Sequence, residues 1–250
     1  YSYNGEAIKP AVTVKDGEKV LTEGTDYTVT YSNNVNAGEA VVTFTGKGNY
    51  TGTITKKFTI APKPITVTIA DKTSVYGEAM AELTANTDGI VNNDTNVYSL
   101  ATDASSTANV GTYPITGTTL DSNYAITFLN GTYTITKAPV NSTGTDMAVD
   151  YTAGMEVDLR QMFSVDENAG EVDYWITYLT GDGSFTGAPY LYRIGKAGTF
   201  TVKITTEETT NYNSGTATAV LTVNPGDPGI GTVTAGVVND TLETSAIVLT

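Results

Sequence analysis

Apolar and polar residues alternate with a period of two along most of this chain. Phe200, Val202 and Ile204 are separated by Thr199, Thr201 and Lys203. In an extended strand successive side chains point to opposite faces, so the three apolar residues share one face and the polar ones the other. Phe58 and Ile60 alternate with Lys57 and Thr59, and the same places are taken by Tyr133 and Ile135 and by Leu221 and Val223. Helical spacing would scatter these sets, and no stretch predicts a helix. Short strands bounded by Asn4-Gly5, Asp16-Gly17 and Asn130-Gly131, dipeptides that tolerate the positive φ of tight hairpin turns, are the expectation.

The strands recur as a unit. Residues 36–62, 109–139 and 196–225 each open on a Gly (Gly38, Gly111, Gly198) followed by an alternating run. Each then has an Asn-Tyr pair (Asn49-Tyr50, Asn123-Tyr124, Asn211-Tyr212), a Gly-Thr (Gly52-Thr53, Gly131-Thr132, Gly215-Thr216), a second run and a Pro. Matched landmarks at similar offsets mean a repeated fold unit. The chain is therefore read as all-β, three tandem small β-sandwich modules arranged as an elongated rod. The boundaries are 1–61 with its leading strand missing, 62–138, 139–225 with an inserted hairpin, and 226–250 as linker and partial fourth unit.

Composition narrows the function classes. Threonine fills about one position in five and suits a half-exposed pleated face. With neither Cys nor His there is no disulfide framework, no thiolate and no Ser-His-Asp or Cys-His arrangement. A formal charge of −14 argues against nucleic acid and anionic membrane surfaces, which need a basic patch. No run approaches the roughly 20 apolar residues of a membrane span. The start at Tyr1 inside strand-like sequence predicts a piece of a longer protein.

The first unit resembles an immunoglobulin-like repeat of bacterial surface proteins through Tyr3-Asn4-Gly5, Pro10, Asp26-Tyr27, Asn36-Ala37-Gly38 and the stretch from Gly46 to Gly52. The second resembles MBG (YGX-type) repeats through Val75-Tyr76-Gly77-Glu78, residues 110–115, Ser122-Asn123-Tyr124 and residues 131–139. These resemblances imply exported, cell-surface β-sandwich modules used as stalks or adhesin segments, with no catalytic residues to carry over. The expected partners are a glycan or a host surface protein, on a monomer, with no cofactor. The third unit departs most: Tyr31 to Gly38 spans 7 positions and Tyr178 to Gly198 spans 20. The extra residues include 184–194, which predict a hairpin.

Candidate chemistry is thin. Asp166, Glu167, Glu171 and Asp173 form the densest acidic cluster, which reads as a solvated loop. Gly181-Asp182-Gly183-Ser184 and Asn92-Asn93-Asp94 have calcium-ligand residue types without the spacing of a binding loop. Tyr50, Tyr124 and Tyr212 read as structural tyrosines bonding backbone near a strand corner. A direct ligand contact, if the chain has one, falls on Trp175, Tyr190 and Tyr192. By alternation Trp175 points away from Tyr174, Ile176 and Tyr178, either to solvent as an aromatic platform or under the extra hairpin. The tail segments Thr232-Val233-Thr234-Ala235 and Ile247-Val248-Leu249 are candidate edge-covering strands.

Overall fold

The computed structural model describes residues 1–227, apart from the Tyr178 side chain, and the tail segments named above lie outside it. The chain divides into two compact units, Tyr1–Thr136 and Lys137–Thr250. Among the described residues all regular structure is strand except a four-residue 3₁₀ turn, Leu159–Met162.

The first unit opens with the hairpin β1 (Lys15–Asp16) and β2 (Lys19–Val20), whose Gly17 (φ 55) supplies the turn. β3 (Tyr27–Ser32), β4 (Gly38–Gly46) and β5 (Thr53–Ile60) form an antiparallel sheet. Residues 11–14, whose Val12 and Val14 alternate with Ala11 and Thr13 as in a strand, are irregular. Their neighbourhood covers the sheet through side chains instead: Tyr31 Oη donates to Pro10 O at 2.9 Å and Asn34 Nδ2 to Ile8 O at 2.9 Å.

The next repeat of the same unit is a two-sheet sandwich. Its strands are β6 (Lys63–Ile69), β7 (Lys72–Val75), β8 (Ala85–Asp88), β9 (Tyr98–Thr102), β10 (Gly111–Thr119), β11 (Tyr124–Leu129) and β12 (Gly131–Thr136). One sheet has the order β7-β12-β10-β9 and the other β11-β6-β8. β6 runs parallel to β11 and β7 parallel to β12. Val67, Ile69, Ile115, Tyr133 and Ile135 fill the space between the sheets. Asn130-Gly131, expected as a hairpin turn, instead carries the chain from one sheet to the other. A Cβ on Gly131 would stand 2.9 Å from Ile69 O and 3.0 Å from Ala70 O, distances that backbone cannot relieve cheaply. Gly131→Ala is therefore expected to destabilise the first unit by about 1–3 kcal/mol, read as a lower urea midpoint at unchanged slope.

In the second unit the strands are β13 (Thr143–Gly144), β14 (Met147–Asp150), β15 (Glu156–Asp158), β16 (Phe163–Ser164), β17 (Val172–Tyr178), β18 (Asp182–Thr186), β19 (Ala188–Lys196), β20 (Gly198–Thr206) and β21 (Gly215–Asn224). The sheet β14-β21-β20-β17 repeats the order of β7-β12-β10-β9, including the parallel first pair. The predicted hairpin exists as β18-β19. It is not an appendage, for with β15 it constitutes the opposing sheet. Between the sheets lie Val157, Leu159, Met162, Tyr192, Ile194, Phe200, Val202 and Leu221.

Candidate functional site

β17 is the outer strand of its sheet, and alternation turns Tyr174 and Ile176 inward against the core while Asp173, Trp175 and Thr177 face out. Trp175 is 59% exposed. Its strand partner on β20 is Lys203, yet its indole Nε1 donates to Thr205 Oγ1, one row along, at 3.3 Å. That diagonal reach ties the indole to the neighbouring row while most of the side chain stays exposed. Around it the same outer surface carries Thr201 and Thr205 from β20 and Thr216 and Thr218 from β21, in register with Thr177, Asp173 and Lys203.

The other two residues of the expected contact do not join it. Tyr192, on β19 of the opposite sheet, is buried and meets Phe200 edge-on at 6.0 Å, so it is a core residue. Tyr190 is half-buried, with the Arg160 guanidinium stacked 3.8 Å from its ring centroid. Asp158 holds that guanidinium through Nε and Nη2, and the bond to Arg160 keeps the Asp158 carboxyl below its ordinary value. Alternation placed Trp175 correctly. It could not show that Tyr190 and Tyr192 belong to another sheet, because sheet membership depends on long-range pairing.

The remaining candidates resolve into structure. Asp166 accepts from the backbone N–H groups of Asn141 and Asn168, which lower its pKa, and so ties two loops together. Asp182 and Ser184 lie in β18. Asn92 and Asn93 take left-handed backbone at φ 53 and 54. Asp94 beside them receives two hydroxyls, Tyr3 Oη at 2.8 Å and Tyr124 Oη at 2.6 Å. Among the described residues no group of His, Cys, Asp or Glu is arranged to hold a metal ion.

The node at Asp94 was invisible in the sequence, since Tyr3 and Asp94 are 91 positions apart. It joins the first two repeats, as does one apolar cluster of Tyr3, Ala40, Ile60, Ile65, Val97 and Tyr124. The Asn-Tyr landmark acquires a purpose beside it. Lys63 N donates to Asn123 O at 2.8 Å, and in the second unit Ala138 N donates to Asn211 O at 2.9 Å. In both places the pair receives the strand that enters the repeat. Tyr124 is buried there and bonds the backbone of Val91, whereas Tyr50 and Tyr212 are only half-buried.

This arrangement, a leading strand parallel to a late strand in a two-sheet sandwich, covers a segment with a recognised family pattern. Residues 65–134 match the MBG domain (YGX type). The MBG segment thus runs from β6 to β12. No curated protein sequence matches the chain. Among solved structures, Drosophila N-cadherin EC1-3 aligns at 10% identity and TM-score 0.26 over 83% of this chain and 81% of that one. A protocadherin gammaB7 structure aligns at 12% and 0.30 over 80% and 65%, and a tandem from titin at 12% and 0.23 over 88% and 90%. At such scores the description of the fold rests on the strand pairing and the MBG match.

Proposed function

We infer that this chain is a non-catalytic stalk or adhesin segment of an extracellular, cell-surface protein, and that it spaces and presents other domains. The observation that carries the reading is the way repeats are joined. β5 ends at Ile60 and β6 begins at Lys63, and the two repeats it connects share the Asp94 node and the apolar cluster around Ile60 and Ile65. Ala37 N also donates to Asn123 Oδ1 at 2.8 Å. A joint with so little free chain and so many fixed contacts transmits position, which is what a spacer requires. The absence of Cys and His removes the common nucleophile and base chemistries, in keeping with a mechanical role.

The reading predicts reach. Three modules end to end would extend on the order of 100 Å, from strands of 6–8 residues at about 3.3 Å each plus loops. The corresponding radius of gyration is about 30 Å, against about 18 Å for a compact globule of this length. Small-angle scattering is expected to give the larger value. The smaller one would remove the basis for a spacer.

A further inference from the structure

We propose that the outer face of the sheet β14-β21-β20-β17 binds a neutral glycan chain, with Trp175 as its stacking platform. The inference stands apart from the spacer reading and does not need it. Trp175 is the single Trp of the chain and one of its most exposed large apolar side chains. The fold does not demand it there. In the first repeat the corresponding stretch is Asp26-Tyr27-Thr28-Val29-Thr30-Tyr31, and Thr28 faces Thr45 on β4 as Trp175 faces Lys203 on β20. A threonine is enough to complete the same pleated face, so the indole answers to something other than packing.

Its surroundings define the occupant. Thr205 Oγ1 accepts the indole N–H and ties the ring to the sheet, while more than half of the Trp175 surface stays open to solvent. Thr177, Thr201, Thr216 and Thr218 add hydroxyls in neighbouring rows about 4.8 Å apart, while Lys203 and Asp173 contribute one charge of each sign. A protein partner would need an apolar centre within a patch of about 800 Å². In the rows around it the outward apolar side chains are Trp175 and the half-buried Val220, which fall short of that centre. A pyranose with equatorial substituents presents a flat C–H face to an aromatic ring and hydroxyls at its rim, which is the complement of this surface. The overall charge of −14 disfavours a polyanionic glycan.

The full chain is run through native gels containing barley β-glucan, xylan or galactomannan, with alginate as the polyanionic control and a polymer-free gel as reference. At least one neutral polymer is expected to retard it, and the same polymer shifts the emission of the single Trp to the blue. Trp175→Ala should lower the affinity about tenfold without moving the thermal midpoint, since stacking supplies the contact and the exposed side chain supplies little to the core. Thr205→Val, which frees the indole, should weaken binding by a smaller factor. Retardation by none of the neutral polymers overturns the proposal. So does retardation that survives Trp175→Ala, or that alginate alone produces.

Discussion

Asp94→Ala is expected to destabilise the first unit by about 2–4 kcal/mol and to loosen the joint between its two repeats. The carboxylate accepts from Tyr3 at 2.8 Å and from Tyr124 at 2.6 Å, and hydrogen bonds to a charged group contribute about 1.5–3 kcal/mol each. Both hydroxyls lie among buried rings, with Tyr3 and Tyr124 edge to face at 5.5 Å, so neither regains full hydration when its partner is removed. Hydrogen exchange should show the loss first at the amides of Tyr3 and Ala61, which donate to Ala61 O at 2.9 Å and to Tyr1 O at 2.8 Å beside the joint. The same node carries a pH dependence. Burial, and next the bond to Asp94, push the Tyr3 phenol from its ordinary 10.0 up to about 12, and Tyr124 is raised by the same two causes. The folded state holds these protons more tightly than the unfolded chain. The Tyr3 contribution is therefore fully present below pH 10 and is lost as pH rises from about 10 to about 12, and the Tyr124 contribution is lost in the same direction. Asp94→Asn should bring the Tyr3 titration, followed by phenolate absorbance, back towards 10. An unchanged titration would mean that burial alone sets it.

Phe200→Ala should cost the second unit about 3–5 kcal/mol, the range for truncating a buried aromatic. Phe200 is fully buried on β20, meets Tyr192 at 6.0 Å, and leaves no space beside it: a Cβ on Gly181 would stand 2.3 Å from its ring. Gly181, in the turn before β18, and Tyr192, on β19, both abut the ring, so the cavity cannot collapse without moving both. Scanning calorimetry should show a lowered transition for the second unit, with protection lost along β20 and β21. An unshifted transition would contradict the packing described.

What the sequence disclosed follows from what is local. Ile65, Val67 and Ile69 are buried and Thr66 and Thr68 exposed, as period-two alternation requires. Trp175 obeys the same rule. The all-β class and the repeat followed from spacing alone, and the hairpin at 184–194 from its extra length. The rest depended on partners far along the chain. Asn130-Gly131 has hairpin chemistry but joins two sheets, because β11 pairs with β6 and β12 with β10. Its place in the extra hairpin makes Tyr192 a candidate neighbour of Trp175, although the pairing of β19 with β15 sends it inward. Residues 11–14 alternate as a strand should, yet they pair with neither of the sheet's edge strands, β3 and β5.

The parallel pairing of β7 with β12, and of β14 with β21, decides how these repeats answer to tension. A pull on the two ends of a repeat draws its early strand backward and its last strand forward. Since the two lie parallel, the force runs along their common axis and loads every hydrogen bond between them together. An antiparallel pair at the same place would be peeled apart one bond at a time. β6 beside β11 adds a second parallel seam in series, entered at Lys63 where Asn123 already grips the backbone. Such a module yields to stretching by shear, so its resistance to rupture exceeds what its modest core would suggest to heat or denaturant.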